Sequence, residues 1–356
     1  MMQSARPPVR HTVTRDDVAR YANVSSAVVS YVVNGGPRPV AASTATRVRQ
    51  AIKVLGYRPN ATARALRTGS TRLLGLVVPE IGNPLFAELA VAIEAVAAER
   101  GYEVLLTNSH SDPARERRLV STLIARQVDG LLAWTMLTGS EVSLLPLDDV
   151  PTVLLNTFNA GPGFDTVGVD AEAGASLGTQ HLIDHGHERI ALVIGGGSAS
   201  HLEARERGWT AATRSAGLGD GPIARDDFTR AGGYRAGLRL FSSPHPPGAA
   251  FVSSDMQATG VLRALDELGL RVPHDVALVS FDGTEESEYT LPRLTVVRQP
   301  VRAMAAAAVD RVLAISADSP KEHSLLAPRL VIGGSCGCHG RVTKPEGYER
   351  PAGRVS

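Results

Sequence analysis

The spacing of hydrophobic residues changes near residue 72. Before that point, apolar side chains recur every three or four positions, as in Val18 with Ala22 and Val29 with Val33, which is the period of an amphipathic helix. Beyond it, continuous apolar runs such as LLGLVVP and RIALVIGG alternate with amphipathic stretches, a pattern typical of parallel strands covered by helices. The sequence therefore predicts a small all-helical region followed by a larger α/β region.

The first two helices lie in the stretch TRDDVARYANVSSAVVSYVVN. Thr14 can cap the first helix, with Asp17 as its capping-box partner, and Ser25 can cap the second. Asn23 lies between them and tolerates the left-handed backbone of a tight turn. A third helix is predicted from about Ser43 to Leu55. This arrangement predicts a helix-turn-helix, although a plain three-helix bundle would have the same periodicity.

In a helix-turn-helix, the second helix places its N-terminal side chains against base edges in the major groove. Small residues such as Ser26 and Ala27 would let this helix approach closely, and Tyr31 would supply much of the discrimination between bases. The candidate DNA-contacting residues of this region are Thr14, Ser25, Ser26, Ala27, Ser30, Tyr31 and Asn34.

Charge separates the same two regions. Residues 1–72 contain twelve Lys and Arg against two acids, a net charge of +10, and since the whole chain carries +1 the remainder carries −9. A positive segment on a negative body is expected where one end of a protein meets phosphate and the other does not. The charge pattern therefore favours nucleic acid as a partner.

The composition narrows the class of protein. Hydrophobic residues make up 43% of the chain and charged residues 21%, which is typical of a globular protein. We expect no membrane span, because no run of about 18 apolar residues exists. The two cysteines and the lack of a secretory signal predict a cytoplasmic protein without a disulfide framework.

A short Ala- and Arg-rich run, GYRPNATARALRTGST, follows the third helix. A run this short is not stable as an isolated helix in water, so it would need its twofold mate or DNA as a partner. Leu66 stands between Arg64 and Arg67, an apolar wedge flanked by phosphate binders that suits a kinked minor-groove step.

Four motifs follow one another along the chain: DDVARYANVSSAVVSYVVN, RVRQAIKVLGYRPNATARALRTGST, LGLVVPEIGNPLFAEL and VSFDGTEESEYTLPRLTVVRQP. Together they resemble the lactose-repressor (LacI/GalR) family of bacterial transcription regulators, over nearly the whole chain. The resemblance implies a headpiece, a hinge helix that folds on DNA, and a sugar-binding-protein-like body that dimerises. It also implies that Leu66 is the intercalating leucine and that Ser26, Ala27 and Tyr31 are the main base readers.

The body is predicted to be a two-lobed, periplasmic-binding-protein-like α/β domain, with parallel sheets flanked by helices and a cleft between the lobes. The full organisation that we expect is a flexible tail over 1–13, a helix-turn-helix headpiece over 14–58, a hinge helix and linker over 59–70, a ligand-binding and dimerisation domain over 71–338, and a disordered tail over 339–356.

Ligands bind at the carboxyl ends of strands in open α/β sheets. This rule selects four residues that end apolar runs: Asn156, Ser254, Asp255 and Asp282. The resemblance implies an overlapping set, with Phe86 and Asn156 in the first lobe, Arg205, Phe228, Ser254 and Asp282 in the second, and Gln299 near the crossing between lobes.

The chemistry of this set favours a sugar. Arg205 and Asp282 can donate to and accept from vicinal hydroxyls, and Phe86 or Phe228 can cover an apolar ring face. Three departures from the family pattern keep a nucleoside or another polar metabolite open as the ligand. They are Asn156-Thr157 in place of Asp-Arg, Ser254-Asp255 in place of Asn-Asp, and Leu85-Phe86 in place of an aromatic pair.

Motifs for metals and catalysis are weaker. His181 and His185 have the i, i+4 spacing of zinc-binding helices, but Leu182 stands where a metalloprotease has glutamate. The SCGCH segment, with Cys336, Cys338 and His339, is one ligand short and too tightly spaced for a usual zinc site. The GGGS run lacks dinucleotide-binding spacing, and no motif suggests a nucleophile elbow. We therefore expect no metal, no cofactor and no enzymatic activity.

The combined pattern predicts a transcriptional regulator, specifically a repressor, whose operator affinity is controlled by a small effector. A homodimer on palindromic double-stranded DNA is expected, because a short helix reads only a half-site. A secreted solute-binding protein would fit the body, but the basic head and missing signal count against it. No heptad pattern follows Cys338, so nothing favours a coiled-coil tetramer over a dimer.

Overall fold

The computed structural model describes residues 13–34, 36, 38–58, 65, 68–147, 150–155, 163–196, 200–219, 221–316 and 319–338. They form two compact units, which divide between Thr71 and Arg72. The predicted site residues that lie outside the described ranges are Arg64, Leu66, Arg67 and Asn156.

The described helices of the first unit are α1 (Arg15–Ala22), α2 (Ser26–Asn34) and α3 (Ala42–Leu55). Thr14 and Asp17 form the predicted capping box, since the side chain of each accepts from the backbone N–H of the other. Asn23 has a left-handed backbone with φ of 51°, and Ser25 Oγ accepts from the Val28 N–H at 3.3 Å. The predicted turn between α1 and α2 is therefore confirmed, residue by residue.

One buried valine from each helix meets at the centre of this unit. Val18, Val29 and Val48 are completely buried, and smaller side chains such as Ala22 and Ala51 pack around them. This core is small, so the unit depends on its helix caps more than a larger domain would.

The strands of the second unit are β1 (Leu73–Val78), β2 (Glu103–Asn108), β3 (Gly130–Ala133), β4 (Thr152–Leu155), β5 (Asp165–Val169), β6 (Ile190–Gly195), β7 (Ile223–Asp226), β8 (Ala249–Val252), β9 (Ala277–Asp282), β10 (Thr295–Arg298), β11 (His323–Leu326) and β12 (Arg329–Val331). They form two sheets of six strands among the described residues. The first sheet and the helices packed on it are called the N-lobe here. This sheet has the order β2-β1-β3-β4-β5-β11 and is parallel throughout. The second, in the C-lobe, has the order β7-β6-β8-β9-β10-β12, and only β12 runs antiparallel to its neighbour.

Helices cover both sheets, as parallel sheets require. They are α4 (Pro84–Glu99), α5 (Pro113–Ala125), α6 (Gly139–Val142), α7 (Ala171–Asp184), α8 (Ser200–Ser215), α9 (Arg230–Phe241), α10 (Asp255–Glu267) and α11 (Val301–Ala314), with a 3₁₀ turn at Glu285–Glu288. None of the described helices is long and apolar enough to cross a membrane. The predicted two-lobed α/β body is confirmed.

The chain passes between the two lobes three times: after β5, after β10, and between β11 and β12. After the first passage α7 packs on the C-lobe sheet, and after the second α11 packs on the N-lobe sheet. Each lobe is therefore assembled from segments that are not contiguous in sequence.

Candidate functional site

The first candidate site is the face of α2 that the core leaves uncovered. Val29 is buried, whereas Ala27 and Asn34 are exposed. The Asn34 side-chain amide donates to Ser30 Oγ at 3.3 Å, so these two polar groups lie together one turn apart. The other predicted base readers of α2, Ser26 and Tyr31, are each partly exposed.

The backbone at Gly36 fixes the position of the Tyr31 ring. A Cβ atom added at Gly36 would lie 2.3 Å from Tyr31 Cδ1 and 2.8 Å from Tyr31 Cβ, far inside van der Waals contact. Only glycine permits this approach without moving the ring. Gly36, two residues after α2 ends, therefore orients the largest predicted base reader of that helix.

The basic side chains in the described part of the first unit are exposed to solvent. Arg20 also lies 3.5 Å from Asp17, a surface pair of the kind that contributes little to stability. Phosphate contacts need cations that are accessible in this way. The exposed cations are Arg15, Arg20, Arg38, Arg47, Arg49, Lys53 and Arg58.

The second candidate site lies at the carboxyl ends of β8, β9 and β10, which are neighbours in the C-lobe sheet. Ser254 and Asp255 follow β8, Asp282 ends β9, and Gln299 follows β10. Asp282 has φ of 114°, a conformation that L side chains rarely adopt. Backbone strain of this kind is concentrated at functional sites, where the surrounding structure enforces it.

Asp282 is held between two buried side chains. Arg205 Nη2 donates to Asp282 Oδ1 at 3.4 Å, and Gln299 Nε2 donates to the same oxygen at 2.7 Å. The Gln299 N–H also donates to the Asp282 carbonyl at 2.9 Å. The Arg205 guanidinium carbon lies 4.3 Å from the centre of the Phe281 ring and 5.9 Å from that of Phe228. The structure thus brings four of the predicted cleft residues together.

This cluster contains polar atoms that the described part of the chain does not satisfy. Arg205 Nε, Arg205 Nη1 and Gln299 Oε1 are buried and have no hydrogen-bond partner there. Such atoms carry a desolvation cost of about 1–3 kcal/mol each, which a ligand can remove by supplying the missing bonds. They comprise donors and an acceptor side by side, as hydroxyl groups require.

Asp255 is different, because the protein already uses both of its carboxylate oxygens. Oδ1 accepts from Ser280 Oγ at 2.6 Å, and Oδ2 accepts from the Thr284 N–H at 2.7 Å and the Thr284 hydroxyl at 2.8 Å. Ser254 Oγ likewise caps α10 by accepting from the Gln257 N–H at 3.2 Å. These contacts hold the loop after Asp282 in place.

Burial raises the pKa of both carboxyl groups above the usual range. For Asp282, the Arg205 guanidinium counteracts this effect, whereas the nearby Asp255 adds to it. The hydrogen bonds from Ser280 and Thr284 lower the pKa of Asp255 in part. Arg205 is a buried cation whose charge interacts with both carboxyl groups, but a single guanidinium cannot neutralise two carboxylates.

The aromatic residues predicted for the cleft occupy unlike surroundings. Phe86, near the start of α4, is buried and packs edge-on against Trp134, with 4.8 Å between ring centres and 75° between planes. Phe228 is partly exposed. A hydrogen bond also joins the lobes, from the Glu285 N–H to Glu88 Oε1 at 2.7 Å.

Sequence reasoning missed the residues that support the cluster. Phe281 covers Arg205, while Ser280 and Thr284 bind Asp255. Phe281 and Ser280 lie within the same apolar strand as Asp282, where a hydroxyl in a buried run signals a hydrogen bond to another buried group. Trp134 directly follows β3 and was not selected by the strand-end rule either.

Comparison with known proteins identifies the family to which this chain belongs. Residues 14–60 match the profile of bacterial regulatory proteins of the lacI family, and residues 179–336 match that of a periplasmic binding protein-like domain. The chain is 37% identical over 301 residues to catabolite control protein A of Priestia megaterium, covering 83% of this chain and 90% of that protein. The chain belongs to the LacI family.

Other LacI-family relatives agree. The ribose operon repressor of Escherichia coli K12 is 36% identical over 301 residues, covering 83% of this chain and 91% of the repressor. A crystal structure of the lac repressor dimer bound to operator and the anti-inducer ONPF matches 91% of this chain and 99% of that chain, with a TM-score of 0.82 and 29% identity. LacI-family members are DNA-binding transcriptional regulators rather than enzymes, so the predicted class of function is confirmed.

Proposed function

We propose that this chain is a cytoplasmic repressor that binds a palindromic operator as a homodimer. Residues 14–58 would read the major groove through α2, with Ser26, Ala27, Ser30, Tyr31 and Asn34 at the bases. The exposed cations of the same unit would neutralise phosphates. Similarity to the lac repressor, which was crystallised as a dimer bound to operator, supports this proposal.

The hinge 59–70 would fold on DNA, with Leu66 in a minor-groove step between Arg64 and Arg67. Replacing Leu66 with Ala is expected to weaken operator binding while leaving effector affinity unchanged, because the two sites use different residues. Fluorescence anisotropy with a promoter fragment and calorimetry with the effector measure the two affinities separately. A parallel loss of both would contradict this division of roles.

The effector proposed for the cleft is a small polyhydroxyl compound, most simply a sugar. The carrying observation is the set of buried atoms without partners, Arg205 Nε, Arg205 Nη1 and Gln299 Oε1, next to Asp282. A pair of vicinal hydroxyls would accept from the arginine and donate to the glutamine and the carboxylate. Phe228 would cover the ring face. Ser254 and Asp255 would position the loop rather than contact the ligand, since their polar atoms are engaged.

Effector binding would change operator affinity only if the lobes adopt two different arrangements and the effector binds these with different affinity. The hydrogen bond between Glu88 and Glu285 lies where lobe closure would be sensed.

Thermal unfolding against mono- and disaccharides, sugar phosphates and nucleosides tests the effector class, because a ligand that prefers the folded state raises the midpoint. A rise with one sugar, absent in Gln299→Leu, is the expected result. A rise with nucleosides alone would replace the sugar by a nucleoside in the same cleft. No rise with any compound would refute the proposed cleft and leave the DNA-binding proposal to its own test.

A further inference from the structure

Two incomplete metal-binding motifs, the histidine pair of α7 and the cysteine pair after β12, lie next to each other in the folded C-lobe. His181 lies in the last turn of α7, His185 caps that helix, and Cys336 and Cys338 follow β12. One ring nitrogen of His181 and the sulfurs of both cysteines lie within 4.8 Å of one another. Cys338 Sγ is 3.4 Å from His181 Nε2 and 2.9 Å from His185 Nε2.

The ring of His185 presents Nε2 to the sulfur, 2.9 Å from Cys338 Sγ. Its Nδ1 lies 2.7 Å from the His181 carbonyl oxygen, which can only accept, so Nδ1 carries a proton. In the neutral imidazole Nε2 is therefore the unprotonated nitrogen. A ring N–H donated to a backbone carbonyl is the usual outer contact of a metal-binding histidine.

Cys336 also has an outer contact that suits a thiolate. The Thr295 hydroxyl lies 3.0 Å from Cys336 Sγ and accepts from the Gly333 N–H at 2.9 Å, so its own proton is free to point at the sulfur. Ser335 Oγ ties the same segment to the sheet, since it accepts from the Thr295 N–H and donates to the Leu278 carbonyl. Cys336 is therefore held in place by neighbours that do not belong to the cluster.

We propose that His181, His185, Cys336 and Cys338 bind one Zn²⁺ ion. Two thiolates and two imidazoles are a donor set that zinc takes in tetrahedral structural sites, with bonds of about 2.0–2.3 Å that put donor atoms roughly 3.3–3.8 Å apart. The distance of 3.4 Å between Cys338 Sγ and His181 Nε2 already fits, whereas His185 lies outside the group of three and its exposed ring must move to complete the site. Because all four ligands come from the protein, the ion would be structural.

Such an ion would join parts of the chain that are far apart. His185 and Cys338 are 153 residues apart in sequence. Metal bound at both would fasten the segment after β12 to α7, and its binding free energy would add to the stability of the C-lobe. The four residues of this site are not among those assigned to the cleft or to DNA binding, so the proposal does not rest on the proposed function.

Metal analysis of the full-length protein, purified under reducing conditions, tests this proposal. The expected result is about one equivalent of zinc per chain after dialysis against Zn²⁺, and a thiolate-to-cobalt charge-transfer absorption when Co²⁺ replaces it. A chelator should remove the ion and lower the unfolding midpoint.

Variants locate the ion. Cys338→Ser and His185→Gln involve accessible side chains, so they should fold normally and lose the cobalt absorption and at least tenfold in zinc affinity. His245→Gln changes an exposed histidine outside the cluster and should retain both. The proposal is overturned if the reduced wild-type protein binds no zinc, if all three variants bind it equally, or if mass spectrometry finds a Cys336–Cys338 disulfide under the same reducing conditions.

Discussion

The two units of this protein differ in the solvent exposure of their polar binding groups. In the described part of the first unit, the cations are exposed to water and the polar side chains of α2 are exposed or partly exposed. In the C-lobe, Arg205, Asp282 and Gln299 are almost completely buried, and some of their atoms lack partners among the described residues. A polar group exposed to water has no desolvation penalty before its ligand binds. A buried polar group without a hydrogen-bond partner destabilises the fold by about 1–3 kcal/mol. Removing one DNA-contacting group should therefore leave the free energy of unfolding nearly unchanged, whereas removing one member of the buried cluster should change both stability and effector binding.

The largest expected effect follows from the solvated cations. If six to ten phosphates are contacted, operator affinity should fall about 10³–10⁵-fold between roughly 50 and 200 mM salt, because binding releases counterions. The midpoint shift caused by the effector should change little over this range, since its contacts are buried and weakly screened. Anisotropy titrations and thermal unfolding at matched salt concentrations measure the two responses. Equal sensitivity of both to salt would remove the contrast between the units.

A smaller effect is expected from breaking the buried pair. Asp282→Ala leaves the Arg205 guanidinium without its carboxylate, which should lower the free energy of unfolding by about 3–5 kcal/mol and abolish the effector response. Operator binding should persist at temperatures where the variant is folded. Chemical denaturation measures the loss, and Asp266→Ala, which removes an exposed carboxylate, is the control.

The double variant Arg205→Met with Asp282→Leu sharpens this test. Replacing both charges by apolar side chains should restore most of the stability while effector binding stays lost. A double variant as unstable as Asp282→Ala would mean that packing, rather than an unpaired charge, causes the loss.

The smallest effect concerns the orientation of one base reader. Gly36→Ala must displace the Tyr31 ring, and we expect operator binding to weaken by about 1–3 kcal/mol, the value of a good base contact. Stability should hardly change, because Gly36 is exposed. Anisotropy with operator and scrambled DNA measures the change. In a double-mutant cycle with Tyr31→Ala, additive losses would show that Gly36 does not act through Tyr31.

The sequence predicted correctly those features that depend on contacts between residues close together in the chain. In the first unit, the capping box at Thr14, the turn at Asn23 and the cap at Ser25 are local, so the interactions lie within three or four residues of one another. The strand end that carries Asp282 was also predictable, because an apolar run marks the strand, whereas Gln299 was selected only through the family resemblance. Five strands were missed. The polar or alternating segments β7, β11 and β12 have exposed residues, β5 begins with two polar residues, and β10 contains only two apolar residues.

Long-range contacts set the limit for the candidate site. No local pattern places Phe281 under Arg205, whose positions are 76 residues apart in the chain. Nor could spacing reveal that Asp255 is fully used by Ser280 and Thr284, which makes it a positioning residue in the proposed cleft. The histidines of α7 and the two cysteines were interpreted separately, as incomplete metal-binding motifs, because their spacing in the sequence does not show that they are in contact.

The three passages between lobes have a consequence for synthesis of the chain. The edge strand β11 and the helix α11 of the N-lobe are made only after β6 to β10 of the C-lobe. Although domains generally fold as the chain emerges, the lobe that begins first on the ribosome here cannot be finished until the other is nearly complete. A nascent chain halted after residue 298 would leave the side of β5 that pairs with β11 open to another strand. The N-lobe is thus the first to start and among the last to close.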